Sequence, residues 1–133
     1  MLLVGHTNCG GVAACLDLAR SQADISPPGS VAPQRAIDRW LAPLTDLARS
    51  VLASANTQPA TESHIDIRKH EEELAERLVD ANVRAQVRNV CAAEPVLRAW
   101  TTQKQPLWVH GLVYDVGSGK LRDLNITRGC LRS

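Results

Sequence analysis

Apolar positions along this chain follow two different periods, and the change from one to the other marks out its elements. Met1-Leu2-Leu3-Val4 places four apolar residues in a row with no polar alternation. That pattern predicts a strand buried on both faces, as in a parallel sheet. Past a Gly-containing turn, Val12 to Arg20 reads as a helix ending near Ser21-Gln22. From Arg35 to about Ala53, Ile37, Trp40, Leu41, Leu44, Leu47, Ala48, Val51 and Leu52 recur in steps of three and four, predicting an amphipathic helix with Pro43 inside it. Trp40 is placed in the core of that helix face rather than in a pocket. A long helix begins near His64, with Ser63 as its cap and a stripe of Leu74, Leu78, Val79, Val83, Val87, Val90 and Cys91. Glu71-Glu72-Glu73 lies off that stripe and reads as a solvated face with i,i+4 partners such as Glu73 and Arg77, not as an acidic metal site. Glu94-Pro95 is expected to break the helix, with a short further one over Val96–Trp100.

Period two returns at the far end. Pro106 to Val116 is strongly apolar and predicts a second strand, Gly117-Ser118-Gly119 a turn, and Lys120 to Ile126 an alternating strand suited to a sheet edge. Asp24 to Pro33 and Asn56 to Thr61 carry the Pro, Gly, Ser and Asn signals of loops. The fold class is therefore α/β: a partial parallel sheet flanked by helices, with a C-terminal β-hairpin edge, in one domain over residues 1–133.

Composition narrows the functions available. At 133 residues and 44% hydrophobic the chain supports one modest core, filled by Leu, Val and Ala because it has only three Trp, one Tyr and no Phe. A net charge of +1 gives no reason to expect nucleic acid or an anionic membrane as partner. No stretch has the length of a membrane span. Cys9, Cys15, Cys91 and Cys130 show neither C-x-x-C spacing nor disulfide-scaffold density, so a reducing, cytoplasmic setting is expected. An organelle remains compatible if a targeting segment precedes the first strand.

The candidate chemistry sits in Gly5-His6-Thr7-Asn8-Cys9-Gly10-Gly11, directly after the first strand. Imidazole nitrogen and thiolate sulfur together suit Zn²⁺. The first amides after Cys9 open a helix and favour an anion, and Gly10 and Gly11 keep side chains out of its way. A site at the carboxyl end of a parallel strand is where open α/β sheets bind ligands. His110, inside the second strand, reads as structural, and His64 and His70 carry no partner pattern.

The string Val4 to Val12 resembles the second zinc motif of the β-class carbonic anhydrases, G-H-[ST]-x-C-G-G. The likeness continues through Arg39-Trp40-Leu41, Asn82 to Val87 and Leu107 to Asp115, in the family's order. It implies reversible hydration of carbon dioxide to bicarbonate with Zn²⁺ as cofactor. His6 and Cys9 would be metal ligands, and the Gly10 amide would bind the carbonate oxygen. It also implies a homo-oligomer, a dimer or larger. The family's first motif, C-x-D-S-R, brings another Cys ligand and an Asp–Arg pair, and no such string occurs in the 133 residues. The chain thus looks like the back portion of such an enzyme, N-terminally incomplete. Its opening strand is expected to leave an exposed apolar edge. A non-catalytic relative keeping fold and oligomer interface is the alternative, and a small structural-metal or redox-thiol protein a third.

Overall fold

The computed structural model describes residues 1–23, 36–55, 64–102 and 106–129. The predicted loops at Asp24–Pro33 and Asn56–Thr61, the Ser63 cap and Cys130 lie outside the described residues. In chain order the elements are β1 (Leu2–His6), α1 (Gly10–Ala23), α2 (Ala36–Ala55), α3 (His64–Cys91), α4 (Glu94–Thr102), β2 (Trp108–Asp115) and β3 (Lys120–Gly129). They form two compact units, Met1–Thr7 with Val79–Ser133 and Asn8–Leu78.

The first unit is built on a mixed three-stranded sheet in the order β1-β2-β3. β1 pairs with β2 in parallel, from Leu2 opposite His110 to His6 opposite Tyr114. β2 and β3 form the expected antiparallel hairpin, with Asp115 opposite Lys120 at the turn and Trp108 opposite Gly129 at the far end. Val109, Gly111 and Val113 alternate to the buried face, which also takes Leu124 and Ile126 from β3 and Val79, Val83 and Val87 from α3. Two glycines let α3 come close. A Cβ on Gly5 would lie 2.7 Å from a Val83 methyl, and one on Gly111 would lie 3.1 Å from the other. The hairpin is irregular between Gly111 and Leu112, where β3 carries extra residues. Asn125 there takes φ 54°, a left-handed conformation that Asn tolerates, and its N–H bonds Asp123 Oδ1 at 2.8 Å.

β1 corrects one expectation. It is not buried on both faces: Leu2 is 60% and Val4 50% exposed. Among the described strands β1 has a neighbour on one side only, and on the sheet face it shares with them Trp108 is 49% and Tyr114 39% exposed. The expected exposed apolar edge is therefore present.

The second unit holds α1, α2 and the first part of α3. Val12, Cys15, Leu16 and Ala19 of α1 are buried, as are Ala48, Val51 and Ala55 of α2 and Leu74 and Leu78 of α3. Pro43 is accommodated inside α2, and the buried Thr45 satisfies its hydroxyl on the Leu41 carbonyl at 3.1 Å. Trp40 is not core: it is 75% exposed, because the buried stripe of α2 runs through Thr45, Ala48, Val51 and Ala55 instead. Arg20 of α1 donates to both carboxylate oxygens of Glu71 at 2.9 Å. Glu73 faces Lys69 at 4.0 Å rather than Arg77, whose guanidinium bonds Ser54 Oγ at 2.9 Å. Glu94-Pro95 opens α4 instead of ending α3. The break falls at Ala92-Ala93, and proline fits a first helical turn, where its missing N–H has no partner to lose.

Candidate active site

His6 is the last residue of β1 and Cys9 the residue before α1, three positions apart in the chain, the first in one unit and the second in the other. His6 is exposed, with Nδ1 2.9 Å from the Thr7 carbonyl oxygen. A carbonyl can only accept, so this contact requires the proton on Nδ1. In the neutral ring that leaves the Nε2 lone pair unprotonated, as a metal ligand needs.

Cys9 caps α1. Its carbonyl accepts the first helical bond, from Ala13 N–H at 3.1 Å, so the amides of Gly10, Gly11 and Val12 have no carbonyl partner within the helix. The chain reaches this cap through Asn8 at φ 56°, so Asn8, given no role by the sequence, has a conformational one. A Cβ on Gly11 would stand 3.8 Å from Cys9 Sγ, while the space beside Gly10 is open to at least 4 Å. An anion approaching the first-turn amides therefore meets no side chain at Gly10.

Sequence reasoning missed the network behind His6. The Thr7 amide bonds the Tyr114 carbonyl at 3.0 Å, and its hydroxyl accepts from Val116 N–H at 3.0 Å and donates to Asp115 Oδ1 at 3.3 Å. Asp115 also accepts from the Ser118 hydroxyl and, at 3.0 Å, from Gly117 N–H. The Ser118 hydroxyl first, and the Gly117 amide next, hold the Asp115 carboxyl below the ordinary aspartate value. This lashes the end of β1 to the β2–β3 turn. The available signal was the turn chemistry of Asp115-x-Gly117-Ser118, which forms Asx-type bonds.

The other metal-capable side chains stand elsewhere. Cys15 is fully buried, its sulfur 3.9 Å from the Leu41 carbonyl. His110, read from the sequence as structural, is tied through Nδ1 to Thr127 Oγ1 at 3.0 Å, its partner across the hairpin. Cys91 lies half-buried at the end of α3, and His70 is exposed on the same helix. Among the described residues no group of three or more His, Cys, Asp and Glu side chains could hold a metal ion. His6 and Cys9 are thus suitable donors for zinc but fewer than the three protein ligands a catalytic zinc ordinarily keeps. No helix of the described residues is long and apolar enough to cross a membrane.

Comparison with known proteins gives one answer. Residues 1–121 match the family model described as carbonic anhydrase. A carbonic anhydrase of Emericella nidulans is 29% identical over 126 residues, covering 95% of this chain and 45% of that protein. Among solved structures, the Coccomyxa β-carbonic anhydrase in complex with acetazolamide aligns with a TM-score of 0.61 at 28% identity, over 96% of this chain and 47% of that one. One of the tetrameric β-carbonic anhydrases of Sordaria macrospora aligns with a TM-score of 0.65 at 23% identity, over 96% and 52%. The chain therefore spans about half the length of these relatives. With a parallel β1–β2 pair running into the His6–Cys9 turn, and a family match over nearly its whole length, the chain belongs to the β-class carbonic anhydrases.

Proposed function

We propose that this chain carries part of the site of a zinc-dependent carbonate dehydratase, catalysing reversible hydration of carbon dioxide to bicarbonate. The observation that carries the reading is the contact of His6 Nδ1 with the Thr7 carbonyl at 2.9 Å. The Nδ1 proton is committed to the Thr7 carbonyl, so Nε2 is kept as a donor at the carboxyl end of β1. His6 and Cys9 would hold the metal, Cys9 as thiolate. When bound, zinc supplies the Lewis acidity that makes hydroxide available near neutral pH. The chain's own residues do the rest. The Gly10 amide, unpartnered within α1 and unobstructed, offers a hydrogen bond to a carbonate oxygen, and the helix end favours its negative charge. The Thr7–Asp115 bond holds the strand end that presents His6.

Two ligands bind zinc more weakly than three, and the 133 residues contain no C-x-D-S-R string to add a thiolate and an Asp–Arg pair. As it stands the chain should hold zinc loosely and hydrate carbon dioxide poorly. A homo-oligomer is part of the same reading, supported by the exposed apolar face of the sheet. The alternative, a non-catalytic relative that keeps fold and oligomer interface, is favoured by the same short ligand set.

Metal content after dialysis, compared for the parent, His6→Ala and Cys9→Ser, tests the ligands. Loss of zinc in both variants supports the assignment, and equal stoichiometry in all three refutes it. Stopped-flow hydration with added zinc, for this chain alone and for the chain fused behind a strand bearing C-x-D-S-R, tests the activity. Gain of activity only in the fusion supports the enzyme reading, and a silent fusion favours the non-catalytic relative.

A further inference from the structure

We propose that a cavity between the C-terminal end of α3 and β3 binds a small organic oxyanion, a phosphate or carboxylate carried on an apolar body. The cavity has a volume of about 390 Å³, the size of a small-molecule site rather than of a lone ion. Arg84 and Arg88 of α3 and Arg128 of β3 line it, with Cys91 beside them. Its apolar floor is Val87 and Ile126, which are 1% and 7% exposed. The site lies wholly within the first unit. Arg128 pairs in register with Val109, near the start of β2, whereas His6 pairs with Tyr114 near its end. It is therefore at the opposite end of the sheet from the candidate active site and goes beyond the proposed hydratase.

Charge decides what such a cavity takes. Among the described residues no acidic side chain lines it. The acidic residues nearest in sequence on the same elements are engaged elsewhere: Asp80, a turn before Arg84, holds Arg122 through two bonds of 2.7 and 3.0 Å, and Asp123 accepts the Asn125 amide. Arg84 spends one donor on the Leu124 carbonyl at 3.3 Å, which the β3 bulge presents to it, and Arg128 spends one on the Thr127 carbonyl at 3.2 Å. Each guanidinium carries five N–H donors, so most remain for a ligand, in the fork geometry that matches carboxylate and phosphate. Arg88 makes no ion pair among the described residues. An arginine in the last turn of a helix also complements the dipole, which accounts for Arg88 alone. Arg84 stands a turn earlier, and Arg128 comes from another element. The helix end itself opposes an anion with about half a charge. Two of its carbonyls, those of Arg88 and Val90, are already taken by the Ala92 and Ala93 amides at 3.0 and 3.1 Å. Three full positive charges outweigh that remainder.

The test uses Cys91 as a reporter built into the wall. The full chain is titrated with phenyl phosphate, phenylacetate and inorganic phosphate, reading alkylation of Cys91 by iodoacetamide at the peptide level, with glutathione added to the same solution as internal reference. Phenyl phosphate or phenylacetate should protect Cys91 saturably while glutathione alkylation is unaffected, and whichever protects at lower concentration identifies the headgroup. Arg88→Gln and Arg128→Gln should each raise the concentration needed roughly tenfold or more, since each removes charged hydrogen bonds. Arg88→Lys, which keeps the charge, should lose less. Both side chains are exposed, and unchanged thermal melting of the variants would exclude a folding defect. Unaltered protection in both Gln variants, or no protection by either organic anion, would overturn the site. Inorganic phosphate acting as well as phenyl phosphate would overturn the apolar body. None of these readouts depends on zinc or on carbon dioxide hydration.

Discussion

Asn8 shows how much one backbone angle can carry. Its left-handed conformation turns the chain between the strand end at His6 and the helix cap at Cys9. Asn8→Gly should leave thermal stability and zinc content nearly unchanged, whereas Asn8→Val should cost about 1–2 kcal/mol, read by denaturant unfolding. Asp115 sets a pH dependence of definite sign. Its folded carboxyl is held below the ordinary aspartate value, so the stability it contributes is present above that value. That contribution is lost as pH falls through the ordinary range towards the lower folded value. Asp115→Asn should therefore narrow its stability gap with the parent on acidification, and Ser118→Ala should raise the Asp115 titration midpoint seen by NMR. A midpoint unmoved by Ser118→Ala would remove the stated cause. At this scale the legible residues were the ones with rare chemistry. His6 and Cys9 stand out by type and spacing, while the Thr7–Asp115 bond joins positions 108 apart that no local pattern connects.

Among elements, α3 and the sheet depend on each other through small residues. A methyl on Gly5 would overlap Val83 at 2.7 Å and crowd Val79 at 3.0 Å, so Gly5→Ala should destabilise by about 1–3 kcal/mol through overpacking. Pairing it with Val83→Ala should restore part of the loss, and strictly additive effects would show that the two do not compete for space. By contrast, removal of the exposed Arg20–Glu71 pair should cost less than about 1 kcal/mol in spite of its two short bonds. Helices and strands were readable because their periodicities are long and unambiguous, and α2, α3 and the hairpin lie within a few residues of where the pattern puts them. Side-chain burial was less readable. Trp40 fits the apolar period of α2 and yet stands outside its buried stripe, because period fixes a face and only packing fixes how wide that face is. The four-residue apolar run of β1 likewise records an affinity for burial that the described strands meet on one face.

At the scale of the molecule, the part-exposed sheet face of the first unit dominates. Leu2, Val4, Trp108 and Leu121 are each about half exposed or more. Apolar area gathered in this way on a solvent-exposed face drives association. Sedimentation of the purified chain should show species heavier than a monomer, shifting to lighter ones in Leu2→Lys/Val4→Lys. A monodisperse monomer with a sharp thermal transition would contradict this. The parallel pairing of β1 with β2 has a further consequence, in time rather than in space. Leu2 meets His110, so β1 waits for a partner made 108 residues later. At roughly 5–20 residues per second on the ribosome, that wait is about 5–20 s. Throughout it Leu2-Leu3-Val4 is an apolar, aggregation-prone segment of a nascent chain without its β2 partner. The register of this pair is thus settled only when Gly111 and its neighbours emerge, and folding yield should respond more to translation speed or chaperone supply than native stability would suggest.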